Sequence, residues 1–362
     1  MPRSAWIVPL LSVLFYGAAT AAGFGRFFDG AAADYVFSVA LLAVLFATVF
    51  AAVYHAEVVA HRTGEPYGTL VLTIAVTVIE LALIASIMLG DKPNPALARD
   101  TVFAVVMIIC NGLVGLCILS GGLRYREQGF RVTGANIYLT VLMVFATLSL
   151  VLPNYVNSAR GPVYTTVQLV FVSVVTLALY GVFLYTQTVR HRDYFIVGKD
   201  EYDEASGHLP SNHATLASFA LLLVCLVAVV LLAKKFAVVV DAASVAIGAP
   251  PAFAGLVVAL LILLPESVAA VASARRDELQ KSINLALGSS LATIGLTIPV
   301  VAVASILLHQ DLVLGLEPKD IVLLTLTILV SLLTFGTGRT NILFGFVHLV
   351  IFATFAFLVF VP

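Results

Sequence analysis

Long apolar runs, each about the length of a membrane-spanning helix, fill most of this chain. A helix needs about 20 predominantly apolar residues to cross the roughly 30 Å hydrocarbon core of a bilayer. Runs of that length predict about eleven transmembrane helices, near residues 5–23, 35–60, 68–90, 101–122, 135–153, 163–188, 213–233 (or on to 247), 251–272, 282–308, 320–337 and 341–361. Of the 362 residues, 61% are hydrophobic, which is more apolar surface than a soluble domain buries. The predicted fold class is therefore an all-α polytopic membrane protein.

The longest hydrophilic segment divides the chain into two halves. With residues 1–30 taken as a separate N-terminal transmembrane helix, five spans precede this segment and five follow it. Because five is odd, the second half enters the membrane in the inverted orientation. We therefore predict a first inverted repeat at 31–189, an acidic cytoplasmic linker at 190–212 and a second inverted repeat at 213–362. Inverted repeats with binding groups near the bilayer midplane are typical of secondary transporters.

Positive charge is distributed unevenly between the loops. With the N-terminus placed in the cytoplasm, most of the 19 Lys and Arg residues fall on the inner side of the membrane, in agreement with the positive-inside rule. The N-terminal segment has features of a signal peptide, but the repeat organisation needs it as a helix, so we expect it to be retained. We predict a multi-pass protein of the inner (plasma) membrane with a cytoplasmic N-terminus.

Charge and motif content exclude several classes of function. The net charge of −1 and the lack of a Lys/Arg-rich run give no basic surface for nucleic acid, so we expect no nucleic-acid partner. Three cysteines, Cys110, Cys117 and Cys225, lie in apolar runs with neither zinc-site nor disulfide spacing. The sequence has no His-Glu-x-x-His motif and no Ser/His pair at membrane depth, which argues against an intramembrane enzyme. We predict no resident cofactor, and the oligomeric state is left open.

A carboxylate, Glu80, lies near the middle of the third apolar run. Thr69, Thr73, Thr77 and Glu80 follow at intervals of four, four and three residues, which places them on one helix face. An ionised side chain at mid-membrane costs about 2.5–3.5 kcal/mol even on lenient scales, so such residues mark ion or proton pathways. The threonine hydroxyls fit equally well as donors to carbonyls of their own helix.

A second carboxylate, Glu266, directly follows a proline within another apolar run. Pro265 has no N–H to donate and its ring crowds the carbonyl of Leu261, so that this oxygen is released near the carboxylate. Neither Glu80 nor Glu266 has a Lys or Arg within its own helix. The expected partner of each is the other carboxylate, a proton or a cation. Ca²⁺ takes six to eight oxygen ligands, which two carboxylates and released carbonyls can help to supply.

Each carboxylate helix is followed by a helix with small and polar residues. In the first half these are Asn111, Gly112, Gly115 and Ser120, and in the second half Asn284, Gly288, Ser289, Thr293 and Thr297. Glycine and serine also allow membrane helices to approach closely, which is the structural alternative. The polar heads of Asn111 and Ser289 nevertheless need a partner in a dry environment.

Four further titratable residues lie near the predicted ends of spans: Glu57, His61, Glu65 and Asp241. Side chains at such positions can collect cations or relay protons. Charges at helix ends are more commonly just solvated. We keep these residues as secondary candidates, together with Pro265, Gly288 and Asn284.

Two blocks of the sequence resemble the repeats of the calcium/cation antiporter superfamily, most closely the bacterial ChaA-type calcium/proton antiporters. They are "AEVVAHRTGEPYGTLVLTIAVTVIELALI" and "LLPESVAAVASARRDELQKSINLALGSSLATIGLTIP". The resemblance covers nearly the whole chain, although the Gly-Asn-Ala signature that precedes each family glutamate is missing here. The resemblance implies that Glu80 and Glu266 bind the metal cation, with Ser289, Asn111 and Thr77 as candidate further ligands.

Together these features predict an antiporter that exchanges Ca²⁺ for protons by alternating access. Two bare carboxylates close together repel in a low dielectric, so the pair holds either the cation or protons. A Na⁺ or K⁺/proton antiporter that uses the same glutamates is the first alternative, because the ChaA-type branch is associated with these ions too. A cation channel is a second alternative, which the inverted repeat disfavours. The expected partners are the transported ions and the lipid bilayer.

Overall fold

The structure is a computed structural model that describes residues 3–64, 67–88, 94–157, 161–195 and 210–361. Its helices are α1 (Arg3–Ala21), α2 (Ala32–Thr63), α3 (Tyr67–Met88), α4 (Leu97–Tyr125), α5 (Val132–Asn154), α6 (Thr166–Arg190), α7 (Asn212–Ile247), α8 (Ala252–Ala274), α9 (Leu279–Leu308), α10 (Pro318–Phe335) and α11 (Ile342–Phe360). Within these described residues, ten helices are long and apolar enough to cross a membrane, and α1 contributes a shorter apolar stretch, Ala5–Ala21. The predicted all-α polytopic fold class is confirmed.

Local sequence signals set several helix ends. The Thr165 hydroxyl accepts from the backbone N–H of Gln168 at the start of α6, and the Ser211 side chain accepts from Ala214 at the start of α7. Such caps satisfy backbone donors that a helix start leaves without partners. At the end of α7, Gly248 has a φ of 62°, a left-handed conformation that glycine adopts without steric cost. The helix α7 runs without interruption through the apolar stretch around residue 236 and ends at Ile247.

Four helices include a π-helical segment, in which the backbone accommodates one extra residue per turn. In α4 and α9 the segment lies in mid-helix, at Ile108–Leu113 and Thr293–Thr297. In α5 and α6 it lies near the C-terminal end, at Thr147–Val151 and Thr186–Arg190. π-Helical turns occur frequently at functional sites, and the α4 segment contains Asn111.

Two short strands pair in the loops at one end of the helices. β1 (Glu127–Gly129) follows α4 and β2 (Arg339–Asn341) precedes α11, and they run antiparallel with Gln128 opposite Thr340. Six helices, α5 to α10, separate the two strands. An even number of crossings returns the chain to the same face of a membrane, so the pairing agrees with the assignment of these helices as spans.

Contacts divide the chain into two compact units, each of which uses both halves of the sequence. The first unit comprises residues 1–97 and 208–265. In it α2 packs against α1, α3 and α7. The predicted boundaries of the inverted repeats are a different division, which these contacts do not test.

The second unit comprises residues 98–207 and 266–362. In it α4 packs against α11, α6 packs against α9, and α5 packs against α9 and α10. Residues 196–209 of the predicted acidic linker lie outside the described residues.

Candidate functional site

In the first unit, the carboxylate of Glu80 lies midway along α3 and is almost completely buried, with 1% of its surface exposed. The same helix buries Ile79, Leu83 and Ile84, and it packs against α2 and α7. Removing an ionised carboxylate from water into such surroundings is costly unless a proton, a cation or strong hydrogen bonds compensate. The burial expected from the sequence is therefore present, and with it the need for a proton, a cation or strong hydrogen bonds at this carboxylate.

On the threonine face of α3, one hydroxyl bonds to a carbonyl of the same helix. The Thr77 hydroxyl donates to the carbonyl of Thr73 at 2.8 Å, and Thr77 is 8% exposed. This is the alternative in which threonine bonds back to its own helix. The hydroxyl proton is committed to that bond, and the oxygen lone pairs are what Thr77 can still offer to a cation.

The secondary candidates of the first unit occupy different environments. Glu57 and His61 lie one turn apart on α2 and are both exposed, whereas Asp241 on α7 is half-buried. Glu65 lies outside the described residues. A metal or proton role for these side chains stays a prediction.

In the second unit, Glu266 is half-buried in α8 and directly follows the buried Pro265. The helix continues through this proline from Ala252 to Ala274. Because proline has no N–H, the Leu261 carbonyl lacks the donor that any other residue at position 265 would provide. The structure shows a continuous helix through Pro265. In such a helix the Leu261 carbonyl has no N–H donor at position 265, as expected from the sequence.

The helix α9 offers its polar residues unevenly. Gly288 and Ser289 are half-buried, and a Cβ at Gly288 would lie 3.8 Å from the Tyr138 ring, which is an ordinary packing distance. The amide of Asn284 is engaged at both ends. Its nitrogen donates to the Phe195 carbonyl at 2.5 Å, and its oxygen accepts from Gln280 at 2.9 Å. Asn284 therefore ties α9 to the segment at Phe195, while its bond to Gln280 stays within α9.

Asn111 belongs to a buried polar network that was not predicted from the sequence. It is fully buried in the π-helical segment of α4, and its nitrogen donates to the Thr327 hydroxyl at 2.9 Å. Its amide oxygen lies 3.3 Å from Nδ1 of His348, and Nε2 of His348 lies 3.0 Å from the Thr334 hydroxyl. These distances fit a neutral imidazole that donates to Asn111 and accepts from Thr334.

A sequence signal for this network exists. Thr327, Ser331 and Thr334 follow at intervals of four and three on α10, the same spacing as the threonine face of α3, and all three are buried. In the sequence His348 is a lone histidine in an apolar helix, and nothing near it points to α10. A polar face on one span indicates that a neighbouring span carries its partners, because polar groups in hydrocarbon must be satisfied internally.

Carboxylates alone do not provide enough ligands for a cation in the part of the chain that the structure describes. Among the described residues, no three His, Cys, Asp or Glu side chains form a group that could hold a metal ion. A cation at Glu80 or Glu266 would therefore complete its coordination with carbonyl oxygens, hydroxyl oxygens or water, the mixture that hard cations accept.

Ten helices fit to span a membrane, with the carboxylate of Glu80 buried midway along one of them, are typical of a polytopic ion transporter. The family model described as sodium/calcium exchanger protein matches residues 34–189 and 217–361. The chain therefore belongs to this family.

Two curated relatives extend over most of the chain. The putative ionic transporter y4hA of Sinorhizobium fredii is 49% identical over 88% of this chain and 87% of its own length. The sodium-potassium/proton antiporter ChaA of Escherichia coli is 36% identical over 89% of this chain and 87% of its own length. The resemblance to the calcium/cation antiporters is confirmed, and the chain is an ion transporter rather than an enzyme.

Two solved structures share the fold. Native YfkE matches with a TM-score of 0.74 and 17% identity, and the alignment covers 99% of this chain and 100% of that one. The H⁺/Ca²⁺ exchanger CAX matches with a TM-score of 0.69 and 14% identity, over 97% of this chain and 86% of that one. At these identities the likeness shows the fold alone.

Proposed function

We propose that this protein exchanges Ca²⁺ for protons across the membrane by alternating access, with Glu80 and Glu266 holding the cation or protons in turn. The observation that carries the proposal is the burial of Glu80 at mid-span in a chain of the sodium/calcium exchanger family. Relatives at 25% and 24% identity, from Aphanothece halophytica and Synechocystis, are named Ca²⁺/H⁺ antiporters. We propose by this likeness that the present protein also transports calcium.

Charge balance provides the coupling in this mechanism. Two ionised carboxylates that share a site repel each other, so one or both take up protons unless a cation is bound. A protonated pair is neutral, and a pair with Ca²⁺ is again nearly balanced, so both loaded forms can reorient. A doubly ionised empty pair would carry its full charge into the low dielectric, which prevents an unproductive return without either ion.

We also propose the two inverted repeats at 31–189 and 213–362, preceded by the helix in residues 1–30 and separated by the linker at 190–212. Two observations support this organisation. The family model matches the chain in two segments, one in each half. The packing is also symmetric, because α4 contacts α11 and α9 contacts α6, which in each case pairs the third helix of one repeat with the last helix of the other.

The mid-helix π segments provide further support for the repeats. They occur in α4 and in α9, which are the third helices of the two proposed repeats. Each segment contains a glycine that packs on an aromatic side chain. A Cβ at Gly112 would lie 3.2 Å from Phe352, and one at Gly295 would lie 3.1 Å from Tyr180.

For the membrane location we propose the inner membrane with a cytoplasmic N-terminus. Most Lys and Arg residues then face the cytoplasm. The β1–β2 pairing supports the relative placement of the α4–α5 and α10–α11 loops on one side, which this orientation makes the cytoplasmic side.

A Na⁺ or K⁺/proton antiporter is the second candidate function. The observation in its favour is the name of the Escherichia coli relative, a sodium-potassium/proton antiporter at 36% identity. Monovalent cations would use the same two glutamates, with protonation of one carboxylate keeping the charge balanced.

Ion flux in inverted membrane vesicles with an imposed pH gradient tests the proposal, with Ca²⁺, Na⁺ and K⁺ supplied separately. We expect Ca²⁺ to collapse the gradient, and Glu80→Gln and Glu266→Gln to abolish this response, because a neutral amide neither exchanges protons nor balances the cation. Glu127→Gln, which changes an exposed carboxylate in β1, serves as the matched control and should exchange normally.

The possible outcomes separate the candidates. Collapse by Na⁺ or K⁺ but not by Ca²⁺ would replace the first candidate with the second. Cation flux without proton movement would indicate a channel. Normal exchange in both glutamate variants would contradict the assignment of the site.

A further inference from the structure

A groove with a basic rim lies at one end of the second unit. Its volume is about 640 Å³, and its rim carries Arg124 of α4 with Arg275 and Arg276, which follow α8. We call it the arginine groove. Its floor includes Val268 and Val271. No part of the transport proposal uses these residues.

The position of the arginine groove corresponds to the boundary between lipid and water. The span of α4 ends at Tyr125 and the span of α8 ends at Ala274, so the arginines lie where the hydrocarbon ends and the lipid headgroups begin. The floor residues belong to the last turns of α8, and Val268 is 57% exposed. An amphipathic ligand could therefore place a charged group at the rim and an apolar chain along the floor.

Contacts with the end of α8 hold the rim in place. Arg124 donates from Nη1 to the Arg275 carbonyl at 3.2 Å, and the Tyr125 hydroxyl donates to the same carbonyl at 3.2 Å. Gln128 donates from Nε2 to the Ala274 carbonyl at 2.9 Å. The carbonyl of Ala274 at the end of α8 and that of Arg275 just beyond it thereby have donors, as helix ends require. Arg124 uses one of five guanidinium donors in this way, and the others remain to bind a ligand.

The charge at the rim selects an anion. Arg99 pairs with Asp100 and Lys319 pairs with Glu317, and the three rim arginines take part in neither ion pair. Three guanidinium groups repel a metal cation, so the arginine groove does not suit a path for the transported ion. Guanidinium groups match the oxygens of a phosphate in geometry and charge.

We propose that the arginine groove binds an anionic phospholipid, with the headgroup phosphate on Arg124, Arg275 and Arg276 and an acyl chain along Val268 and Val271. A free phosphate offers the same oxygens to the rim but nothing to the floor. The apolar floor at the membrane surface therefore decides in favour of the lipid. Basic pockets between spans on the cytoplasmic side are suited to anionic headgroups.

Native mass spectrometry of the purified full-length protein tests this site, with phosphatidylglycerol or phosphatidylcholine of equal chain length added to the detergent. We expect phosphatidylglycerol to remain bound and phosphatidylcholine not to. The double variant Arg275→Gln with Arg276→Gln should bind phosphatidylglycerol about tenfold more weakly or worse, because charged hydrogen bonds are lost. Arg190→Gln, which changes an exposed arginine at the end of α6, is the control and should bind normally.

Two further measurements test the role of the apolar floor and distinguish a bound lipid from free phosphate. Val271→Glu leaves the rim intact and should still reduce lipid binding, since its carboxylate repels the headgroup and interrupts the apolar floor. Thermal unfolding with inorganic phosphate at matched ionic strength distinguishes the sources of phosphate, and we expect stabilisation by phosphatidylglycerol only. Equal binding by the double variant and the wild type, or equal stabilisation by inorganic phosphate, would overturn the proposal.

Discussion

At the scale of single residues, two buried polar side chains differ in their surroundings: Glu80 lies among apolar residues of its own helix, whereas Asn111 bonds to side chains of distant helices. The burial of Glu80 follows from its place in the middle of an apolar run. The partners of Asn111 do not follow, because Thr327 is 216 residues away and His348 is 237 residues away. Local spacing identifies residues that share a helix face, and only the packing of distant helices brings two such faces together.

The network around Asn111 leads to a prediction on stability. His348→Leu should lower the free energy of unfolding by about 1–3 kcal/mol, because it leaves the Asn111 oxygen and the Thr334 hydroxyl buried without His348. The midpoint of thermal unfolding in detergent is the measurement. His213→Ala, at an exposed position of α7, is the control and should leave the midpoint within experimental error. An unchanged midpoint in His348→Leu would show that the network does not stabilise the fold.

At the scale of elements, hydropathy predicts the helices to within a few residues but not their internal irregularities. The π segments of α4 and α9 leave the apolar run intact, so neither its length nor its period shows them clearly. The strands β1 and β2 contain three residues each and depend on pairing across six intervening helices. Such short elements form because tertiary structure brings the loops together, which a single sequence does not reveal.

The crossing of α4 and α11 is an element-scale feature that mutation can test. Gly345 of α11 lies so close to α4 that a Cβ there would be 2.9 Å from the Leu119 nitrogen and 3.1 Å from the Gly115 carbonyl oxygen. Small residues at such crossings allow the backbones to pack directly. Gly345→Ala should therefore force the helices apart and cost about 1–3 kcal/mol of stability.

Gly181→Ala is the matched control for this crossing. Gly181 lies on α6 and is exposed, and a methyl group added there would have no heavy atom of another segment within 4 Å. Alanine there should be neutral or stabilising by up to about 1 kcal/mol, since it favours the helix. Thermal unfolding of both variants provides the comparison. Equal effects of the two substitutions would mean that the glycine crossing has no special importance.

At the scale of the whole molecule, the two compact units explain why neither half of the sequence is an independent domain. Each unit combines helices from before and after the linker. The hydrophilic segment marks a division of the chain into halves, but it does not show that the two halves interleave. The length and charge of sequence segments predict which segments span the membrane. Which spans pack against each other depends on the shapes of their side chains.

This interleaving predicts that two fragments complement each other. If the chain is cut within residues 196–209, the two fragments expressed together should restore exchange, because each unit is built from helices of both fragments. Either fragment alone should be inactive and degraded. The control is a cut after Glu127, which divides β1 and should not be rescued. Cation-dependent collapse of a pH gradient in vesicles measures exchange by the co-expressed fragments, by each fragment alone and by the control cut. Activity of a single fragment would contradict the prediction.

The contact of α4 with α11 also constrains how the protein is made. The helix α11 has 19 residues and lies more than 200 residues after α4, so it leaves the ribosome long after α4 does. Until then Asn111 and the glycine face of α4 have none of their final neighbours on α11. The second unit therefore closes only once α11 has been made. Until then the polar face of α4 depends on temporary partners, such as lipid headgroups, water or an insertion factor.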